Sequence, residues 1–313
     1  MTPHFALYFE YTNYISLLRS GKMSNIIIST ESGSDLPYKI SVPLNIQIIP
    51  LHVYFGKKNM SEGTFDVGDI FMYYNENKVL PKTSAVNPDE YVEHFKSIFR
   101  RYPDCKIIHV ANSSKISVTY QNAVIASNEF DPDKISIIDS ANASAGAGIV
   151  AMTAAQIVQK FGDKITFDEY VSLIGQVAKR VHCSLVPSTL EYFKAGGRIS
   201  GATHMGASVL GIKPCVNVVD GYIEAGKKYR GNVTQFASKY FEDFVTHNDI
   251  EKDFIVIIYS HGLSRNLLFS LKRQAHKMGF KKSWCFHTGA VISCHIGPGG
   301  LGFAGISKNK KVL

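Results

Sequence analysis

The sequence predicts an α/β protein of two domains, an N-terminal parallel sheet flanked by helices and a C-terminal domain on a mixed sheet. Three observations carry this. Between residues 24 and 162, short apolar runs that read as strands alternate with longer runs of helical periodicity, the pattern of a helix-covered parallel sheet. After Phe161 the texture changes, and Asp220-Gly221 between two strand-like runs signals a hairpin. The length, 313 residues, fits two domains of about 150 residues each.

The elements follow in order. Asn25 to Thr30 reads as a buried strand ending in Glu31-Ser-Gly-Ser-Asp35. Leu44 to Phe55 is strand-like and stops at the turn Gly56-Lys-Lys-Asn59. Asp66 caps a helix to Asn75, and Asn87-Pro-Asp-Glu90 opens another. Lys106 to Val110 is a strand, Ser117 to Asn128 a helix, Ile135 to Ile138 a strand and Ala143 to Phe161 a long Ala/Gly-rich helix. Phe167 to Val181 reads as a helix. Strands follow at Cys215–Val219 and Tyr222–Lys227, then a helix from Phe236 to Thr246 and a strand from Phe254 to Ser260. Ser264 caps a helix with apolar positions Leu267, Leu268, Leu271, Ala275 and Met278, and Ser283 to His287 closes the series. The expected units are an extension at 1–22, with Met23 as the native start, and domains at 23–162 and 163–313.

Composition narrows the function. The chain is 45% hydrophobic and 19% charged, which excludes a disordered tail or a disulfide-dense miniprotein. No apolar stretch approaches the roughly 20 residues of a membrane helix. The first 22 residues lack a basic start and carry Glu10, unlike a secretory signal. Five cysteines without a CxxC pair predict a reducing, cytoplasmic setting. The net charge of +8 is uneven: residues 254–313 carry nine basic side chains and no acid. Such a segment steers an acidic protein or a phosphorylated ligand, or forms a solvated helix face; no nucleic-acid-binding signature accompanies it.

Several motifs fail on inspection. Gly297-Pro-Gly-Gly-Leu-Gly302 matches GxGxxG, but only eleven residues follow it, none acidic, so the dinucleotide site is excluded and a turn of close backbone approach remains. Cys285, His287, Cys294 and His295 fit no zinc spacing, so no metal is expected. The nucleophile elbow and the phosphate loop are absent. Hydroxyls collect where strands end, at Thr30 to Ser34, Ser113-Ser114 and Asp139-Ser140, the end at which parallel sheets bind ligands.

Four segments are more specific: Thr83-Ser-Ala-Val-Asn-Pro88; Ser113-Ser-Lys-Ile-Ser-Val-Thr-Tyr-Gln-Asn-Ala123; Thr189-Leu-Glu-Tyr-Phe-Lys-Ala-Gly-Gly-Arg-Ile-Ser200; and Gly289-Ala-Val-Ile-Ser-Cys-His-Ile-Gly-Pro-Gly-Gly-Leu-Gly302. With Ser29-Thr-Glu-Ser-Gly-Ser-Asp-Leu-Pro37, Ile138-Asp-Ser140 and Ile212-Lys-Pro214, their order and spacing from about Met23 onward resemble the DegV family, the fatty-acid-binding proteins of bacterial fatty acid kinase systems. It departs at Ala85-Val-Asn87 and at Val118, keeping the hydroxyls.

The resemblance implies a fatty acid between the two domains, its tail in an apolar tunnel and its carboxylate at the interface. It implies that Thr83-Ser84 and one of Ser113 and Ser114 serve the carboxylate, that His295 lies beside it, and that Arg198 and Arg230 face the head group or the kinase. The implied partners are a long-chain fatty acid, a separate fatty acid kinase that makes the acyl phosphate and an acyltransferase that uses it for phospholipid synthesis. Transient contact with an anionic membrane fits as well. On this reading the chain has no catalytic residue and no cofactor beyond the bound fatty acid. The alternatives are an acyl hydrolase or transferase using Ser114 and His295, or a lipid-binding regulator without a kinase.

Overall fold

The apolar run after Asn25 forms strand β1 (Ile26–Glu31). The structure is a computed structural model that describes residues 25–197 and 211–308, apart from the side chain of Lys194. The extension at 1–22 therefore lies outside the described residues.

A single helical turn, α1 (Tyr38–Ser41), leads to β2 (Gln47–Ile49). Strand β3 (His52–Phe55) follows. Leu44 to Phe55 is thus two strands. Pro50 between them has no N–H to give to a ladder, and there the chain passes from one sheet to another. Strand β4 (Lys58–Ser61) returns along β3 across Gly56, whose φ is +62°. Helix α2 (Gly68–Asn77) begins two residues later than expected, with Asp66 Oδ1 accepting the Gly68 N–H at 2.7 Å. Strand β5 (Lys82–Ser84) pairs with β3, Thr83 opposite Val53. Helix α3 (Pro88–Arg101) starts in a reciprocal cap of Asn87 and Glu90. Then come β6 (Lys106–Ala111), α4 (Thr119–Ser127), β7 (Ile135–Asp139) and α5 (Ala145–Phe161). The first sheet, in the order β2-β1-β6-β7, is parallel throughout. Strands β4-β3-β5 form a small antiparallel sheet beside it.

Helix α6 (Phe167–Ala178) stops short of Val181. Val181 instead opens β8 (Val181–Val186), a strand absent from the sequence reading. Its alternation places Val181, Cys183 and Leu185 in the central core and Val186 in a second cluster on the opposite face. Helix α7 (Leu190–Gly196) follows. Strands β9 (Ile212–Val219) and β10 (Tyr222–Arg230) form the expected hairpin, and Asp220 and Gly221 both take positive φ, 48° and 85°. Helix α8 (Val233–His247) and strand β11 (Phe254–Tyr259) lead to α9 (Arg265–Lys277), where the Ser264 hydroxyl makes no capping bond. Strand β12 (Lys282–His287), helix α10 (Ala290–Ile296) and strand β13 (Leu301–Ile306) complete the described chain.

The second sheet runs β10-β9-β8-β13-β11-β12, with only β11 and β12 parallel, and is mixed as expected. In the glycine-rich run that leads into β13, two glycines admit close protein neighbours. Gly297, at φ +72°, ends α10 against the Tyr192 ring. Gly302 admits the Ser184 carbonyl, which would stand 2.5 Å from a Cβ there. Helix α5 packs on β1 and β6 of the first sheet and on β8 and β13 of the second. Its alanines and glycines permit both approaches, and the core runs through it from Ile28 and Val110 to Cys183, Val216 and Ala304.

Candidate functional site

A cavity lies where the carboxyl end of the first sheet meets β5, α10 and the inner face of β8 and β9. Its volume is about 100 Å³. Most of its wall is apolar, with Leu51, Leu185, Phe193, Val216, Val218 and Ile223 prominent. Its polar groups are few: Thr83, Ser84, Asn112, Ser117, Ser144 and His295.

Thr83 and His295, 212 residues apart, meet on this wall, with Thr83 Oγ1 and His295 Nε2 at 3.0 Å. Thr83 is set by the β3–β5 ladder. His295 is set by α10, whose N-terminus is tied to the opposite half of the chain. Asp35 Oδ1 accepts the Gly289 N–H at 2.7 Å, and Glu62 Oε1 accepts the Val291 N–H at 2.9 Å. The other Asp35 oxygen accepts from Ser144 at 2.5 Å, and the other Glu62 oxygen accepts from Ser32. Burial pushes both carboxyl pKa values up, and those hydrogen bonds only partly offset it. Gly196, at the end of α7, lies against the His295 ring, where any Cβ would collide with Nδ1. Glu62, which follows β4, and Thr83, on β5 of the same small sheet, thus hold the two ends of α10.

The serines divide differently from the sequence expectation. Ser113 is fully buried, and its hydroxyl donates to the Gly221 carbonyl at 2.7 Å while accepting the Lys115 N–H. It ties the β6–α4 loop to the β9–β10 hairpin and does not line the cavity. Ser114 does not line it either; its N–H donates to Asp139 Oδ2. The serine of that loop on the cavity wall is Ser117, whose oxygen accepts the Thr119 N–H at 3.3 Å, leaving its proton to donate. Ser84 is on the wall, with its hydroxyl on the Ala85 carbonyl. Arg230 is exposed at the end of β10, away from the lining. Arg198 lies outside the described residues.

The arrangement suits an amphiphile, an apolar chain with a head group that accepts hydrogen bonds. Hydroxyl donors and an imidazole satisfy such a head without clamping it as an arginine would. The Ser114–His295 couple of an acyl hydrolase is not assembled, because His295 engages Thr83 and Ser114 lies off the wall. Among the described residues, no group of three or more histidine, cysteine or acidic side chains is placed to hold a metal ion. No helix among them is long and apolar enough to cross a membrane.

The matching family model, described as "Uncharacterised protein, DegV family", spans residues 25–308. A DegV domain-containing protein of Clostridium perfringens is 30% identical over 67% of this chain and 74% of its own length. Among solved structures, a DegV family protein from Thermus thermophilus, described by its fatty acid binding, superimposes with a TM-score of 0.80 at 24% identity, over 90% of this chain and 99% of its own. A DegV family protein from Ruminococcus gnavus with vaccenic acid gives a TM-score of 0.77 at 20% identity, over 90% and 99%. Both share the fold described above.

Proposed function

The chain belongs to the DegV family, and from that premise we propose that it binds a long-chain fatty acid and presents its carboxylate to a separate kinase. The cavity is the observation that carries this reading, because it joins a long apolar wall to one cluster of hydroxyls and imidazole. Each buried CH₂ of the tail contributes about 0.8 kcal/mol, so the tail dominates affinity and the head group needs only enough donors to offset lost water. Ser117 supplies one, and Thr83 supplies another when His295 Nε2–H donates to the Thr83 oxygen, with Ser84 beside Thr83. Neutral donors leave the carboxylate oxygen nucleophilic enough to take a phosphoryl group. Fatty acid binding by the Thermus thermophilus relative and vaccenic acid with the Ruminococcus gnavus relative support the ligand class.

In this scheme the kinase brings ATP and its own catalytic groups, and this chain then holds the acyl phosphate for an acyltransferase. Basic side chains at Lys272, Arg273 and Lys277 on α9 favour an acidic partner or an anionic membrane. The test is to purify the protein, denature it, extract with organic solvent and analyse the extract by mass spectrometry. A near-stoichiometric fatty acid is expected. An empty extract, with no uptake of added fatty acids, would defeat the reading.

A further inference from the structure

Strand β12 is the outermost strand of the second sheet, and among the described residues it pairs only with β11. The Lys282 N–H donates to the Asp253 carbonyl at 3.2 Å, and the Thr288 N–H donates to the Tyr259 carbonyl at 2.9 Å. Even-numbered residues therefore bond inward, and the N–H and C=O groups of Ser283, Cys285 and His287 point to the open side. No backbone group among the described residues meets them there.

This edge lacks the usual devices that keep an edge strand from pairing. Its register with β11 runs unbroken from Lys282 opposite Phe254 to His287 opposite Tyr259, with no bulge and no proline. At the other end of the same sheet the register of β10 shifts between Ala225 and Lys228, and such a bulge blunts an edge. The surroundings of β12 are basic, since residues 254–313 carry nine basic side chains and no acid. Burial pushes the Cys285 thiol up, and the ammonium groups of Lys272 and Lys39 partly offset this, so both charges act at the middle of the strand. Lys272 stands on α9, which packs on β12, and Lys39 stands on α1. Each has an exposed aromatic neighbour: Phe269, one turn back on α9, is 64% exposed, and Tyr38 is 81% exposed. Of the acids nearby, Asp253 is paired with Lys281 at 2.6 Å, and Asp66 lies toward the His287 end.

We propose that the open edge of β12 is a docking site for an acidic peptide segment of a partner protein, which adds to the second sheet as an extended strand. The backbone of that segment bonds Ser283, Cys285 and His287, its acidic side chains face Lys272 and Lys39, and its apolar ones cover Phe269 and Tyr38. Pairing of β12 with the same strand of a second copy is disfavoured, because it sets these lysines against each other. The proposal is independent of the fatty acid reading, and its test uses no lipid.

The probe is the peptide acetyl-Glu-Val-Glu-Val-Glu-Val-Glu-amide, titrated into the full-length protein. Trp284, the single tryptophan of the chain, lies on β12 and reports binding by its fluorescence. Saturable binding is expected, with a dissociation constant below about 1 mM. A peptide with lysine in place of glutamate, and a glutamate peptide N-methylated at every amide, should each bind at least about tenfold more weakly. Ser283→Pro removes one outward N–H and leaves the β11 ladder intact, so it should weaken binding by a similar factor with little change in melting temperature. Should that variant not fold, the N-methylated peptide tests the same hydrogen bonds from the ligand side. The proposal is overturned if the glutamate peptide does not bind, or if either control peptide binds as tightly. Self-association of the free chain that Ser283→Pro abolishes, measured by sedimentation velocity, would give the edge to a second copy and overturn it as well.

Discussion

Strands β8 and β9 show opposite chemistry on their two faces. Toward α5 they present Cys183, Leu185, Val216 and Val218, which wall the cavity holding Thr83 and His295. Toward α8 they present Ser184, Cys215 and Asn217 to a second cleft bordered by Tyr229, Tyr240 and Asp243. The outer cleft is the larger, about 630 against 100 Å³. Size therefore does not choose the site. On the outer face Tyr240 donates to Ser184 at 2.8 Å and Ser184 to Asn217 at 2.7 Å, so its polar groups are spent on each other and fix α8. The inner face has almost nothing to hydrogen-bond, which leaves it for an apolar tail. Neighbouring residues in one strand thus serve different ends because successive side chains alternate.

The largest test of that contrast is a charge placed on either face. Val216→Asp should abolish lipid uptake and cost about 3–5 kcal/mol, as an unpaired buried charge does. Asn217→Asp, one residue on, should keep uptake. Lipid extraction and thermal melting check both. Next comes the pair of serines in the β6–α4 loop. Ser117→Ala should weaken fatty acid binding about five- to tenfold with little change in melting temperature. Ser113→Ala should instead cost roughly 1–2 kcal/mol of stability and leave uptake in place, and equal effects of both would merge two roles that the geometry separates. A smaller effect attaches to pH. The Asp35 and Glu62 pKa values are raised by burial, so the folded state binds their protons more tightly than the unfolded one. Their contribution is full below the ordinary carboxylate pKa and is lost as pH rises through the raised values. Asp35→Asn should flatten that part of the stability–pH curve, measured by denaturant titration. Smallest is Tyr240→Phe on the outer face, worth about 1 kcal/mol, with unchanged lipid uptake.

Much of this fold is legible in the sequence because local patterns carry it. The alternation before residue 162, the Asn87 cap and the Asp220-Gly221 hairpin all emerge as expected. Two strands do not. Strand β8 hides because the apolar spacing of α6 runs on into Val181. Strand β13 hides because its approach is rich in glycine, which reads as turn. The family pattern singles out Thr83 and His295, and these two side chains touch across 212 residues of sequence. It misleads at Ser113, because the partner that claims that hydroxyl, Gly221, is 108 residues away. No local signal announces Asp35 and Glu62 either, whose bonds to α10 span 254 and 229 residues.

Helix α5 has one more consequence, and it concerns cooperativity. Both larger sheets lean on this single helix, and a cut at the expected boundary after residue 162 would leave it with the first sheet. The second sheet would then expose Cys183, Leu185, Val216 and Ala304 to water, an apolar surface prone to aggregation. The two sheets should therefore share one melting event, and calorimetry of the whole chain should register a single transition whose van't Hoff and calorimetric enthalpies agree. Swinging the halves apart would draw on the same helix packing, so on the proposed reading a fatty acid would enter and leave through movements around the mouth that leave this shared spine intact.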